Sequence, residues 1–267
     1  MTEIMKLCGL EEAQVNAMIE DLTKTEGNLT LTMETMPGEV HLLVTSKGEE
    51  KETRKERKAL IRELKLRFGA HIYTTEQDKH LETVVVELLK NQGLTVTTVE
   101  SCTGGALSAR IVDVPGASAV FKQGFITYSN KAKKRYAMVK KSTLKKHGAV
   151  SEKCAKEMAK GGAFATGADA ALSVTGFAGP DGGENVPVGT VFIGCTLKGK
   201  TVVQEHHFQG DRSSIREQAV AYALVLLREC ILENFQQKDR EQSLPHQFHH
   251  LNNMFHTLNL FRGFANF

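Results

Sequence analysis

The run LTVTTV gives way to Glu100-Ser101-Cys102-Thr103-Gly104-Gly105, which puts two hydroxyls, a thiol and two glycines into six residues. Ser101 or Cys102 at such a turn is a candidate nucleophile for acyl transfer, provided that another group removes its proton. Gly104 and Gly105 let a ligand approach the backbone. If a helix begins near Gly104, the free N–H groups of its first turn aim at one point and stabilise an anion or a developing oxyanion. A tight turn with Ser101 or Thr103 as helix cap accounts for the same residue types. A second glycine-rich loop, Thr175-Gly176-Phe177-Ala178-Gly179-Pro180-Asp181-Gly182-Gly183, follows the apolar run AALSV. It is neither a G-x-G-x-x-G fingerprint nor a Walker loop, so no dinucleotide or ATP site is expected.

Two further segments carry polar chemistry. Tyr128-Ser129-Asn130-Lys131-Ala132-Lys133 places a tyrosine, an amide and lysines where a strand runs into a helix. Lysines ordinarily lie on solvated surfaces, and Lys133 enters the chemistry only if its ammonium is carried into a cleft. Arg212 and Arg216 are one helical turn apart after Gly210-Asp211, so both guanidinium groups can project from one helix start toward a phosphate. A Cys102 nucleophile with His147 as base is the competing enzymatic arrangement, although a free cysteine is more often a small buried hydrophobe. His246, His249, His250 and His256 crowd the C-terminal stretch without a carboxylate or cysteine beside them, so no metal site is assigned there.

Taken in order, ESCTGG, GFITYSNKAK, HGAVSE, TGFAGPDGG, PVGTVFIG and GDRSSIREQAVAYAL resemble the motifs of the CinA-like nicotinamide-nucleotide amidase domain, over about residues 80–234. The resemblance implies hydrolysis of nicotinamide mononucleotide to nicotinic acid mononucleotide and ammonia, without a cofactor. It assigns Ser101 as nucleophile and Lys133 as base, a serine–lysine variant of triad logic. Thr103, Gly104, Tyr128, Thr175, Gly176, Arg212 and Arg216 are the substrate-binding positions it implies. METMPGEVHLLVTS and FGAHIYT resemble the linker domain of full-length CinA proteins. Their larger molybdopterin-binding-like domain has no counterpart in these residues, and its pyrophosphatase activity is not expected. Between Gly183 and Pro187 the chain reads Glu184-Asn185-Val186, slightly shorter than the family pattern, and the histidine-rich tail matches nothing in the family.

Elements that would position these residues are legible from periodicity. Leu10, Val15, Met18, Ile19 and Leu22 recur at helical spacing. LTLTMETM and VHLLVTS alternate apolar and polar residues about Pro37-Gly38, a hairpin pattern. The charged stretch from Lys47 to Gly69 keeps a Leu60, Ile61, Leu64 stripe and reads as a solvated helix face rather than a nucleic-acid patch. From Leu81 helix and strand signals alternate: a helix ending near Gly93, strands at LTVTTV, GFITY, AALSVTG, VGTVFIGCTL and TVVQEHHF, and helices near 104–112, 131–138, 152–165 and 211–233. Ser151 is the expected cap of one helix, and Asp211 or Ser213 of the last. The expected architecture is α/β, a layered domain with a mixed β-sheet flanked by helices (77–236), preceded by a small α+β domain (1–76) and followed by an appended tail (237–267).

Composition agrees with a globular protein: 41% hydrophobic and 24% charged residues, with a formal net charge of +3. That charge is too small to imply a polyanion partner by itself, and residues 1–80 contain no G-x-x-G loop of the kind KH modules use to clamp a nucleic-acid backbone. The alternative to the amidase, which the resemblance implies because CinA proteins are linked with competence and DNA damage, is a non-catalytic module for a nucleic acid or a competence or recombination partner, and these two features count against the nucleic acid. Five widely spaced cysteines without a C-x-x-C pair favour a reducing compartment. No leader or membrane-spanning run is visible, so a cytoplasmic protein that acts on a small nucleotide, with no membrane partner and as a homo-oligomer, is expected.

Overall fold

The computed structural model describes residues 1–23, 28–48, 50–184 and 186–243. The histidine-rich tail and Asn185 lie outside the described residues. Residues Met1–Cys230 form one compact unit.

Its first part is a four-stranded antiparallel sheet made by β1 (Thr2–Cys8), β2 (Leu29–Met36), β3 (Glu39–Ser46) and β4 (Ile72–Thr74), in the order β2-β3-β1-β4. The hairpin expected from alternation is present, with Met36 paired to Glu39 across Pro37-Gly38. Helices α1 (Glu12–Ile19) and α2 (Lys51–Phe68) complete a core that includes Leu7, Val15, Leu42, Val44, Leu64 and Phe68. In α2 the buried side chains Thr53, Arg57, Leu60, Leu64 and Phe68 recur every three or four residues, and most of the remaining charges face water, with Arg67 half-buried on Glu63 and Met18 O. Strands β1 and β4 were not expected from the pattern. The interior of β1 contains Lys6, which breaks its apolar run; the buried ammonium donates to the carbonyls of Gln77 (2.6 Å) and Lys79 (2.9 Å). Strand β4 is only three residues long.

The second part alternates as the sequence predicts. It comprises α3 (Leu81–Asn91), β5 (Val96–Glu100), α4 (Ala106–Val112), β6 (Phe121–Ile126), α5 (Asn130–Tyr136), α6 (Lys141–His147), α7 (Glu152–Thr166), β7 (Ala170–Gly176), β8 (Thr190–Leu197), β9 (Lys200–His207) and, as far as Cys230, α8 (Arg212–Ser243). The strand order is β6-β5-β7-β8-β9; β5 pairs in parallel with β6 and β7, and the β7-β8 and β8-β9 pairs are antiparallel. This is the mixed, helix-flanked sheet expected from the sequence. Ser151 caps α7 by accepting from Cys154 N, and Asp211 caps α8 by accepting from Ser214 N (2.8 Å). Helix α6 was not foreseen because KSTLKKH has no apolar stripe. Tertiary contacts hold it instead: the Glu157 carboxylate accepts from Lys140 N and from Thr143 Oγ1, both at 2.9 Å.

Every residue of β5 is buried, because helices cover both sheet faces. Alternation then sorts its side chains. A Cβ at Gly162 of α7 would lie 2.3 Å from Val99 Cγ2 and 3.6 Å from Thr97 Cγ2, so Thr97 and Val99 face α7. Thr98 and Glu100 face the other way, toward α4, where Thr98 Oγ1 lies 2.7 Å from Ser108 Oγ. Polar contacts join the two parts: Arg110 of α4 binds Glu39 of β3 (3.0 Å) and Glu82 of α3 (2.9 Å), and Arg228 donates to Ala70 O (2.8 Å). Burial raises the Glu39 pKa, but hydrogen bonds from His41 and Tyr73 and the Arg110 guanidinium outweigh it, so the carboxyl sits below its ordinary value. Among the described residues no helix is long and apolar enough to cross a membrane.

Candidate active site

Ser101 continues the line of β5 by one residue: its N–H donates to Val174 O at 2.9 Å, as the next rung of the β5-β7 ladder. The alternation that sends Glu100 toward α4 sends Ser101 to the opposite face, on which α7 lies. Helix α5 packs against α7 and supplies Lys133. The Lys133 amino group donates to Ser101 Oγ at 2.7 Å and to Thr127 O at 2.8 Å. Thr127 is held by its own N–H, which donates to Glu100 O at 2.7 Å, so the lysine's anchor and the serine hang from the same strand end.

Lys133 is 1% exposed and Ser101 8%. A buried ammonium loses hydration, and that lowers the Lys133 pKa; the neighbouring thiols of Cys154 and Cys102 oppose the shift only in part. The lysine reaches this position because α5 starts at a firm cap, where Ser129 Oγ accepts from Ala132 N (3.1 Å). The chain then leaves α5 in close contact with α7: a Cβ at Gly161 would stand 1.9 Å from Ala137 O.

The N-terminus of α4 differs from the expectation of an open anion site. Glu100 Oε2 accepts from the N–H groups of Gly105 (2.9 Å) and Leu107 (3.1 Å), and Oε1 accepts from Ser108 N (2.9 Å) and Ser108 Oγ (2.6 Å). A buried carboxylate of the protein already fills the place that a substrate anion would take. Of the other N–H groups in the turn, Ser101 N is in the ladder and Gly104 N donates to Ser101 O (3.1 Å). Those of Cys102 and Thr103 donate to no protein oxygen among the described residues. Both lie against the Cys102 sulfur, a weak acceptor that an oxyanion beside Ser101 would outcompete.

The remaining sequence-derived positions fall around this centre with different employments. Thr103 is fully buried and its hydroxyl has no hydrogen-bond partner among the described residues. Gly104, at φ 62°, forms the left-handed corner of the turn, and a Cβ there would meet Arg216 Nη2 at 3.9 Å. Tyr128 is 62% exposed; its hydroxyl accepts from Arg212 Nη2 (3.2 Å), and Arg212 Nη1 donates to Gly179 O (2.6 Å). Arg212 therefore joins the glycine-rich loop to the β6-α5 junction. Arg216 turns inward: Nε donates to Cys102 O (3.1 Å) and Nη2 to Thr103 O (2.9 Å). Thr175 donates its hydroxyl to Ala149 O (2.7 Å), and Gly176 is packed against β8, where a Cβ would come within 2.8 Å of Thr190 O.

Cys102 is buried beside Ser101, and burial pushes its thiol up to about 11 despite nearby N–H groups and the cations of Lys133 and Arg216. It is a thiol at neutral pH, and among the described residues no hydrogen bond joins it to His147. Sequence reasoning missed the part played by Glu100. The signal was present: a lone acid in an otherwise uncharged buried strand, one short turn before a helix, is a capping residue as much as a catalytic one.

Residues 78–231 match the family described as CinA C-terminal domain, and residues 2–74 the family described as Damage-inducible protein CinA KH domain. A CinA-like protein of Kosmotoga olearia is 41% identical over 233 residues, which cover 86% of this chain and 56% of that protein. A putative competence-damage inducible protein of Clostridium novyi is 40% identical over 229 residues, covering 85% and 55%. The chain spans about half the length of these curated relatives. Among solved structures, a CinA superfamily protein from Klebsiella pneumoniae aligns with TM-score 0.56 at 38% identity, covering 57% of this chain and 96% of the other. One from Escherichia coli aligns with TM-score 0.55 at 33% identity, covering 60% and 95%.

Proposed function

The chain belongs to the CinA family, and on that premise we propose that it hydrolyses the carboxamide of nicotinamide mononucleotide, with Ser101 as nucleophile and Lys133 as general base. The observation that carries this reading is the 2.7 Å bond between a buried lysine and a buried serine, with the lysine pKa lowered by desolvation. An amine that is neutral at working pH accepts a proton where an ammonium cannot.

Ser101 Oγ attacks the amide carbon and its proton passes to Lys133 Nζ, while Thr127 O keeps the amine oriented through a second N–H. The carbonyl electrons move onto oxygen, which the N–H groups of Cys102 and Thr103 stabilise. The C–N bond then breaks, the leaving nitrogen takes the proton from Lys133, and ammonia departs from an acyl-serine. Water attacks the ester with Lys133 again as base, which releases the carboxylic acid and restores Ser101. Tyr128 and Arg212, at the exposed rim, are the groups offered to the nucleotide portion.

An ammonia-release assay over nicotinamide mononucleotide, free nicotinamide and glutamine tests the proposal. The nucleotide is the expected substrate and free nicotinamide a much poorer one, because remote binding energy positions the amide. Equal turnover of both would remove the nucleotide from the reading, and no ammonia from any of the three would remove the amidase. A second reading, nucleic-acid binding, is favoured by the KH-domain match over residues 2–74. A salt-dependent mobility shift with single-stranded nucleic acid is what it requires.

A further inference from the structure

We infer that Glu100 and Arg216 are a pair of positioning residues that clamp the turn after Ser101 from opposite sides and so aim the N–H groups of Cys102 and Thr103 at the oxyanion; this rests on the amide-hydrolase reading.

In a trans peptide the C=O and the N–H of one plane point in opposite directions, so whatever holds the carbonyl also aims the N–H. In the Ser101–Cys102 peptide, Ser101 O accepts from Gly104 N at 3.1 Å, which directs Cys102 N–H the other way. In the next peptide, Cys102 O accepts from Arg216 Nε at 3.1 Å, which directs Thr103 N–H away from the guanidinium. The third plane is held by Arg216 Nη2 and by Ala106 N–H, donating to Thr103 O at 2.9 and 3.2 Å. Its own N–H, that of Gly104, closes the turn back on Ser101 O. Both donors, which meet only the weakly accepting Cys102 sulfur among the described residues, thus belong to peptides whose carbonyls are pinned.

Glu100 secures the far end. Its carboxylate gathers the N–H groups of Gly105, Leu107 and Ser108, which sets where α4 begins and hence where the short chain from Ser101 must arrive. Gly104 and Gly105, at φ 62° and 102°, supply the backbone conformation that this span requires. Arg216 spends Nε and Nη2 on the turn rather than turning its whole fork outward to a ligand. A guanidinium is suited to the task because its planar fork spans two adjacent carbonyls, whereas a lysine ammonium is a point donor.

The test uses Arg216→Lys, Arg216→Gln and Glu100→Gln in the full chain. Kinetics are measured on nicotinamide mononucleotide and on its phosphate-free riboside. Affinity is measured for pyridine-3-boronic acid, whose tetrahedral adduct with a serine places an oxygen among oxyanion donors. The clamp predicts that each variant lowers kcat by roughly 10²-fold, the usual effect of disabling an oxyanion donor, with KM within about threefold on both substrates. Boronate affinity falls in parallel. Gln at position 100 is isosteric but turns an NH₂ toward N–H donors. Should that variant not fold, Ser108→Ala, which removes one of the carboxylate's four donors, is expected to act in the same direction to a smaller extent.

An Arg216→Lys protein with raised KM for the nucleotide, but unchanged riboside kinetics and boronate affinity, would make Arg216 a phosphate contact and overturn the clamp. Boronate affinity untouched by every variant would overturn it as well. Failure of the wild-type protein to release ammonia would instead remove the amidase reading, while the boronate measurements still judge the clamp.

Discussion

Replacing Lys133 with Met keeps an unbranched side chain of similar length in a site that is 1% exposed, and it removes the amine. Two hydrogen bonds are lost, to Ser101 Oγ and Thr127 O, costing about 1 kcal/mol each. Against that, the variant no longer buries a group whose charged form is disfavoured, as its lowered pKa shows. At neutral pH the two effects oppose one another, and the informative quantity is their pH dependence. Below the folded pKa of Lys133 both states carry the proton and the penalty is constant. Between that depressed value and the ordinary lysine value of about 10.4, only the unfolded chain carries it. The unfolded state then binds one more proton, so wild-type stability rises with pH by about 1.4 kcal/mol per unit through the window. The variant lacks this increment. Cys102 and Cys154, both pushed up to about 11, titrate in both proteins, so their contributions largely cancel in the difference. Urea unfolding of both proteins at half-unit steps from pH 6 to 10 measures it. The stability difference should move in favour of wild type as pH rises, over the same range in which turnover climbs. Parallel stability curves would show that Lys133 titrates alike in both states and that no neutral amine is prepared for Ser101. For the reaction itself, loss of the general base is expected to cost about 10²- to 10⁴-fold in kcat.

Ser101→Ala is expected to lower ammonia release by more than about 10³-fold, whereas Cys102→Ala should keep most activity, since its thiol is held protonated; matched initial rates decide between the two nucleophiles. Gly161→Ala places a methyl 1.9 Å from Ala137 O, so α7 and the end of α5 must separate; a loss of about 3 kcal/mol by thermal unfolding is expected, together with reduced activity through displaced Lys133. Glu39→Gln removes the carboxylate shared by His41, Tyr73 and Arg110, and should destabilise the protein by about 2 kcal/mol or more at neutral pH. Because the Glu39 pKa is depressed, its contribution is present above the ordinary carboxylate range and fades as pH falls through the folded value, so the two melting temperatures should converge in acid.

Local pattern was enough for the hairpin of β2 and β3, for β7 and for the caps at Ser151 and Asp211, because alternation, helical spacing and capping chemistry act over a few neighbouring residues. It was not enough for β1, where Lys6 interrupts the apolar run, nor for α6, which Glu157 holds from another helix. The same division separates the parts of the candidate site. Ser101 at the end of a buried strand and Lys133 after a strand-to-helix junction were legible as types in place. That they meet at 2.7 Å follows from the parallel pairing of β5 with β6 and from the period-two alternation that turns Ser101 toward the α5-α7 side. Only the tertiary structure decided what Glu100, Thr175 and Arg216 do. Each is a polar group whose partner, whether the start of α4, Ala149 O or the carbonyls of Cys102 and Thr103, is chosen by packing. A side chain's chemistry states which bonds it can make; the fold determines which of them are already made before any ligand arrives.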